Sequence, residues 1–298
     1  MTERVAFQME FAGHSDVGRA RSRNEDSFAI NREAGLALVC DGMGGHAGGD
    51  IASRTSIETI VDFIYEYEPQ EDGDDEDEVD GGEDGKSDGK RKIVFNPGDD
   101  ATVNNFDRKE PSTDNTPIPS VGRSIATIRA AIMLANRRLI SLNQQRGFPE
   151  GRGMGTTVVG LWLVAASDKI VIFHAGDSRL YRLRNGELRQ LTRDHSLYQN
   201  WLDNGAHGQQ PHRNIIMRAL GIMPDLEPEV SLQAIAIGDV YLICSDGLTG
   251  MASDQEISDL LRQDGDLQTT CKNLIDRANE RGGNDNVTVV LARCIPAS

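Results

Sequence analysis

The most constraining feature of this sequence is an apolar run that ends in an acid and is followed by glycines. Residues 36–50 read LALVCDGMGGHAGGD, in which a continuous apolar stretch stops at Asp41. Such a run is typical of a buried strand. The glycines beyond Asp41 allow a tight turn and a close approach of the backbone to a ligand. The segment therefore delivers one carboxylate to the edge of a hydrophobic core.

An acid stands at one end of an apolar run at four further places. Asp177 follows IVIFHAG and Asp246 follows VYLICS, whereas Asp26 precedes SFAI and Asp285 precedes NVTVVLA. A single acid of this kind is more simply explained as a turn residue. Five acids from remote segments, most of them beside glycines, favour a shared site.

Carboxylates grouped in a core are unfavourable, because like charges repel and burial disfavours the charged form. Divalent cations would compensate for this, and oxygen ligands without matching His or Cys select Mg²⁺ or Mn²⁺. Two such ions roughly 3.5–4 Å apart can lower the pKa of a shared water and direct it at an electrophile. Asp26, Asp41, Asp246 and Asp285 therefore predict a metal centre.

A basic loop, RARSRNE, lies directly before Asp26 and carries Arg19, Arg21 and Arg23. The planar guanidinium group suits phosphate oxygens, so one of these arginines fits a hydrolase for phosphate esters. For the other two, a solvated position is the expectation.

Composition excludes several classes of function. The net charge of −16 argues against a nucleic-acid partner. No apolar run approaches the roughly 20 residues of a membrane span, and the start lacks a signal-peptide pattern. The four isolated cysteines favour buried thiols in a reducing cytoplasm over a zinc site.

Apolar periodicity predicts many strands joined by turns, two long helices over about residues 49–67 and 120–147, and shorter helices that include residues 195–204 and 214–220. Strict strand–helix alternation is absent, which favours an α+β layered fold with antiparallel sheets. Composition breaks over about residues 68–120. Residues 66–88 alone hold 13 acids and one lysine, so we interpret this range as a disordered insertion or long surface loop.

Six stretches resemble the metal-dependent protein serine/threonine phosphatases of the protein phosphatase 2C type, in their bacterial form. They are RSRNEDSF, DGMGGHAGGD, GTTVV, HAGDSRLYRLRNGELRQLTRDHSL, ICSDGL and GGNDNVTVVL, in the family's order from about residue 12 to 294. The resemblance implies one catalytic domain over residues 1–298, interrupted by the insertion. It also implies a four-layer sandwich of two antiparallel β-sheets flanked by pairs of helices.

The resemblance also implies roles for the acids. Asp41 matches the acid that bridges two metals, and the Gly42 carbonyl matches a ligand of the first. Asp246 and Asp285 match ligands of the second metal, which Asp26 contacts directly or through water. The implied cofactors are two Mn²⁺ or Mg²⁺ ions.

Three further residues correspond to known parts of the family's site. Asp177 matches the ligand of a third, weaker ion, and Arg21 matches the phosphate-binding arginine. Met43 stands where eukaryotic members carry a histidine, so the nearest candidate general acid is His46, with metal-bound water as the alternative.

The implied function is hydrolysis of phosphoserine and phosphothreonine in proteins by a hydroxide activated at the two-metal centre, reversing bacterial Ser/Thr kinases. The expected partners are such kinases and their targets, with no nucleic acid or membrane, and the expected state is a monomer. Two alternatives stay open: a phosphatase of a small phosphate ester, and an inactive binding module, which the complete set of acids disfavours. Residues 205–217 fall where the family has a variable flap beside the active site.

Replacing residues 70–118 with a short Gly/Ser linker is expected to leave thermal stability and activity on a small substrate nearly unchanged. The segment offers little apolar surface to offset about 1–2 kcal/mol of backbone entropy per ordered residue. Activity on a protein substrate should change in a salt-dependent way, because the acids attract basic targets and repel acidic ones. A large fall in melting temperature would contradict this interpretation.

Overall fold

The computed structural model describes residues 7–44, 48–66, 94–95, 121–164, 167–263 and 265–297. The strands in these ranges are β1 (Phe7–Asp16), β2 (Asp26–Asn31), β3 (Leu36–Met43), β4 (Val94–Phe95), β5 (Gly155–Thr156), β6 (Val158–Leu163), β7 (Lys169–Ala175), β8 (Arg179–Arg184), β9 (Glu187–Gln190), β10 (Glu229–Ala234), β11 (Val240–Cys244) and β12 (Val287–Pro296). The helices are α1 (Gly49–Glu66), α2 (Val121–Gln145), α3 (Leu197–Asp203), α4 (Asp246–Thr249), α5 (Asp254–Leu261) and α6 (Leu267–Glu280).

The strands form two sheets. One has the order β1-β12-β11-β8-β9, and the other has the order β10-β7-β6-β3-β2-β4, with β5 paired to β3. Each described pairing is antiparallel, and several join neighbours in sequence as hairpins. The predicted α+β fold with antiparallel sheets is confirmed.

Strand β3 shows how the layers are built. Ala37 and Val39 point into the core between the two sheets, while Leu38 and Cys40 point into the core beneath α1 and α2. All four side chains are fully buried, which explains why this stretch is apolar at successive positions. A third core lies between the other sheet and helices α4 to α6. The result is the expected four-layer sandwich.

Helices α5 and α6 each begin at a residue whose side chain caps the first turn. Ser253 and Glu256 form a reciprocal capping box at the start of α5. Asp266 accepts the N–H of Thr269 at 2.8 Å at the start of α6. These caps satisfy backbone donors that the first turn of a helix leaves unpaired.

The predicted helix over residues 214–220 is wrong. This segment is irregular, with isolated bridges from Ile216 to Ser196 and from Leu220 to Thr156, because its backbone groups pair with other segments. The N–H of Met217 donates to the His195 carbonyl at 2.7 Å, and Leu220 exchanges two hydrogen bonds with Thr156. Tertiary pairing here overrides the local helical spacing. The neighbouring prediction, a helix near residues 195–204, is confirmed by α3.

Two residues of the predicted insertion have regular structure. Val94 and Phe95 pair with Ile30 and Ala29 and so add a short strand to the edge of β2. These two residues are the part of the predicted insertion that the structure describes. Otherwise, the range 68–120 lies outside the described residues, as does His46. None of the helices described here is long and apolar enough to cross a membrane.

Candidate metal centre

The hairpin of β2 and β3 brings the first two acids together. Asp26 and Asp41 are directly opposite each other in the antiparallel register. Side chains of opposite residues project from the same face of a sheet, with Cβ atoms about 4.5–5.5 Å apart. Asp26 is only 4% exposed, and Asp41 is half-buried. Local strand pairing alone thus creates a close pair of carboxylates at one end of the sandwich.

The other sheet supplies Asp246 and Asp285 to the same end. Asp246 begins α4 just after β11, and Asp285 lies just before β12, the neighbour of β11. Gly247 makes this approach close, because a Cβ atom there would lie 1.9 Å from the carbonyl oxygen of Asn286. Any side chain at residue 247 would therefore push the two acidic segments apart.

Asp177 is the fifth acid and lies in the turn between β7 and β8. It is 6% exposed, and its Oδ1 atom is buried with no hydrogen-bond partner among the described residues. A buried polar atom of this kind is costly unless a ligand or water satisfies it. Its position beside the other carboxylates fits a cation.

Burial and mutual repulsion raise the pKa values of these acids. Burial, together with the charges of Asp246 and Asp285, raises the pKa of Asp26 to about 7, against hydrogen bonds from Thr288 and Ser245 that lower it. Burial and the charge of Asp246 raise the pKa of Asp177 to about 7. The pKa of Asp41 is raised well above its ordinary value, first by burial and then by the surrounding aspartates. An all-oxygen cluster of this charge fits hard divalent cations.

Gly42 occupies a position that only glycine can fill. A Cβ atom there would lie 2.2 Å from the carbonyl oxygen of Gly49 and 2.4 Å from that of Glu25. The N–H of Gly42 also donates to the Glu25 carbonyl at 3.2 Å. Residue 42 thus packs the end of β3 against the start of α1, beside Asp41.

Arg21 is the arginine of the basic loop that reaches the acids. Its Nη2 atom donates to Oδ2 of Asp285 at 2.7 Å, and its side chain is 54% exposed. Arg23 instead faces Asp50 at 3.5 Å. The backbone N–H of Arg19 anchors the loop on the carbonyl of Gly283. An exposed guanidinium beside a carboxylate cluster is well placed to bind phosphate oxygens.

Asn286 fixes the loop that carries Arg21. Its Oδ1 accepts the N–H of Glu25 at 2.8 Å, and its Nδ2 donates to the carbonyls of Val17 and Arg23, each at 2.9 Å. Asn286 therefore orients the arginine loop. Its backbone N–H also donates to Oδ1 of Asp285 at 2.8 Å, so it orients one carboxylate of the cluster as well.

Thr156 and Thr157 hydrogen-bond to the backbone of Asp41. The Thr157 hydroxyl accepts the Asp41 N–H at 3.0 Å, and the Thr156 hydroxyl donates to the Asp41 carbonyl at 2.8 Å. These two bonds fix the backbone from which the Asp41 side chain projects.

A second titratable cluster lies outside the five acids. His174 stacks on His195 with ring centroids 4.5 Å apart, and Nε2 of His195 lies 3.5 Å from Glu229. The N–H of Gly176 donates to Nδ1 of His195 at 3.3 Å, and Nη1 of Arg218 lies 3.2 Å from Nε2 of the same ring. Nε2 of His174 donates to the carbonyl of Arg193 at 2.9 Å.

Nε2 of His174 must carry a proton because a carbonyl oxygen only accepts, and the cationic Arg218 occupies Nε2 of His195, so neither nitrogen is free to bind a cation. Burial lowers the pKa of His174, and burial with the neighbouring His174 lowers that of His195 to about 4. The rings are thus neutral near pH 7, which supports a structural role for both histidines.

Sequence reasoning missed two hydroxyl residues. Ser245 Oγ lies 2.7 Å from Oδ2 of Asp26, and Thr288 also hydrogen-bonds to this carboxylate. The only signal in the sequence is that each hydroxyl interrupts or flanks an apolar run beside a candidate ligand.

Comparison with known proteins identifies the family to which this fold and acid cluster belong. The family model described as Protein phosphatase 2C matches residues 14–292, and the chain belongs to this family. Serine/threonine protein phosphatase PstP of Mycobacterium tuberculosis is 32% identical over 295 residues. The alignment covers 97% of this chain but 46% of PstP, so the chain spans about half of that relative.

Two further relatives cover the chain almost completely. Serine/threonine phosphatase stp of Listeria welshimeri is 30% identical over 285 residues, which are 93% of this chain and 92% of stp. The solved catalytic domain of PstP in complex with 2 manganese ions is 29% identical, with a TM-score of 0.69. It covers 97% of this chain and 100% of its own.

The raised pKa values predict how pH affects the metal-stripped protein. Asp26 and Asp177 titrate near 7 when folded, against 3.8 ordinarily, so the folded chain binds more protons between these values. Stability from these groups is fully present below about pH 4 and is lost as pH rises towards about 7. We expect the melting temperature of stripped protein to fall from about pH 5 to about pH 8, and Mn²⁺ to oppose the fall.

The matched variant for this experiment is Asp177→Asn, which removes one of the acids with a raised pKa. Its melting temperature should fall less over the same pH range. Identical pH dependence in the variant and the wild type would contradict the assignment of a raised pKa to Asp177.

Proposed function

We propose that this chain is a metal-dependent protein serine/threonine phosphatase that hydrolyses phosphoserine and phosphothreonine in proteins. The observation that carries the proposal is the juxtaposition of five buried or half-buried aspartates with an exposed arginine. Arg21 lies 2.7 Å from Asp285 at the rim of the cluster. Family membership and relatives named as serine/threonine phosphatases support the same conclusion.

The candidate ligands are the acids Asp26, Asp41, Asp177, Asp246 and Asp285, together with the Gly42 carbonyl. We propose two Mn²⁺ or Mg²⁺ ions, with a third, weaker ion at Asp177. Such ions, when bound, supply positive charge to a phosphoryl group and lower the pKa of a water. The acids would hold the ions at one end of the sandwich. The positive charge of the ions would compensate the repulsion among the acids.

Arg21 binds the substrate in this proposal. Its exposed guanidinium can donate two parallel hydrogen bonds to phosphate oxygens, while Asp285 and the loop held by Asn286 fix its direction. Attack of water on phosphorus breaks the bond to the serine or threonine oxygen. That oxygen then takes up a proton, for which His46 is the candidate donor.

The proposal also covers the substrates, the oligomeric state, the domain organisation and the location of the protein. We propose that the substrates include Ser/Thr kinases and their targets, that the chain acts as a monomer, and that residues 1–298 form one catalytic domain around the insertion. A cytoplasmic location is supported by four buried cysteines, none of which forms a disulfide.

The direct test uses stripped protein, a panel of phosphoserine, phosphothreonine and phosphotyrosine peptides, and a small aryl phosphate. Phosphate release from the first two peptides with Mn²⁺, abolished by chelator, is the expected result. Equal turnover without metal would contradict the metal centre. Turnover of the small ester alone would favour a small-molecule phosphatase, and no turnover at all would favour an inactive binding module.

Asp246→Asn and Asp285→Asn are each expected to lower kcat at saturating Mn²⁺ by about 100-fold or more, because even residues behind metal ligands cost about 10–100-fold when removed. The stripped variants should melt no lower than wild type, since losing one acid relieves repulsion. Asp276→Asn, on the exposed face of α6, is the matched control. A normal kcat in either site variant would show that the ligand assignment is wrong.

Arg21→Ala is expected to raise KM for a phosphopeptide by about ten- to a hundredfold, the equivalent of a charged hydrogen bond of about 1.5–3 kcal/mol. The effect on kcat should be smaller, because the arginine contacts phosphate in both ground and transition states. Steady-state kinetics of Arg19→Ala and Arg23→Ala provide the comparison. If either of these is more sensitive than Arg21→Ala, the phosphate-binding role belongs elsewhere in the loop.

A further inference from the structure

Asp26 is held by hydroxyl groups that come from the opposite sheet. Asp26 begins β2, whereas Ser245 follows β11 and Thr288 lies in β12. Ser245 and Thr288 are fully buried. Burying a hydroxyl is unfavourable unless it is hydrogen-bonded, so their partners define what these residues do.

Ser245 stands where a serine ordinarily caps a helix. It precedes α4, yet its side chain makes no capping hydrogen bond. Instead, Oγ accepts the backbone N–H of Thr288 at 3.0 Å and lies 2.7 Å from Oδ2 of Asp26. Because the N–H can only donate, the hydroxyl proton of Ser245 remains for Asp26.

The direction of the Thr288 hydroxyl follows by the same logic. Oγ of Ser15 accepts from Nδ2 of Asn24 at 2.8 Å and lies 2.7 Å from Oγ1 of Thr288. The Ser15 proton then points to Thr288, and the Thr288 proton points to Asp26, to which Thr288 is hydrogen-bonded. The orientation of Asn24 is fixed because its Oδ1 accepts the N–H of Asp26 at 3.1 Å.

We propose that Ser245 and Thr288 are positioning residues for the proposed metal centre, because their two hydroxyl donors fix the orientation of the Asp26 carboxylate. Two donors match an ionised carboxylate, which can only accept. They restrict rotation of the carboxylate and leave its remaining lone pairs for a cation. Neither residue is expected to touch substrate, so their effect is on metal binding. The inference rests on the proposed function, because it needs Asp26 to be a ligand.

The test compares Thr288→Val, which keeps the shape of the side chain but removes the hydroxyl, with Thr288→Ser, which keeps the hydroxyl. Calorimetric titration of stripped protein with Mn²⁺ should show a Kd raised about 10–100-fold in Thr288→Val. Thr288→Ser should restore most of the wild-type affinity. Ser245→Ala should weaken Mn²⁺ binding in the same direction, and it provides a second variant if Thr288→Val does not fold.

Tyr241→Phe is the matched control for a merely structural effect. It also removes a buried hydroxyl that donates to an aspartate, since Tyr241 bonds to Asp239 at 3.0 Å at the other end of β11. We expect this change to lower the melting temperature without changing Mn²⁺ affinity. If Thr288→Val and Ser245→Ala behave like Tyr241→Phe, with Mn²⁺ affinity within about twofold of wild type, the positioning role is overturned.

This outcome is distinguishable from a failure of the proposed function. Wild-type protein that neither binds Mn²⁺ nor hydrolyses phosphopeptides would overturn the metal centre itself. Wild-type protein that does both, with unchanged Mn²⁺ affinity in the two variants, would overturn only the role of Ser245 and Thr288.

Discussion

The mutual repulsion of carboxylates in a buried site is the constraint on which the rest of this structure depends. Burial raises the pKa of Asp26 and Asp177 to about 7, and neighbouring acids add to the effect. Such a cluster disfavours its own charged form, so the surrounding fold must hold it in place. Three apolar cores, one between the sheets and two beneath the helices, supply the stability that offsets this local cost.

The backbone around the acids is correspondingly tight. At Gly42 and Gly247 a Cβ atom would collide with main-chain oxygens of other segments. Asn286 ties three backbone groups of the arginine loop to the start of β12. These contacts fix segments that are remote in sequence, so that charges which repel one another cannot relax apart. A site of this kind is pre-organised to bind cations without a large rearrangement.

Hydrogen-bond satisfaction separates the acid cluster from the histidine pair. His174, His195 and Glu229 have the residue types of a metal site, but the ring nitrogens that face Glu229 already contact the Arg193 carbonyl and Nη1 of Arg218. At Asp177, in contrast, a buried oxygen has no hydrogen-bond partner in the part of the chain that the structure describes. Hydrogen bonding also distinguishes Ser245. Its hydroxyl does not cap α4 but hydrogen-bonds to Asp26. Residue type indicates which side chains are candidates for a metal site. Which of their polar atoms already have a hydrogen-bond partner then indicates their roles.

The sequence by itself determined where each acid stands relative to a buried strand, because a strand buried on both faces leaves a continuous apolar run. The hairpin that places Asp26 opposite Asp41 is local, so its two strands lie close in the sequence. The sequence did not determine the conformation of residues 214–220, whose backbone pairs with His195 and Thr156. Nor did it indicate that Ser245 serves Asp26, 219 residues away. Only the packing of one sheet on the other decides such contacts, because their energies depend on segments that are remote in the sequence.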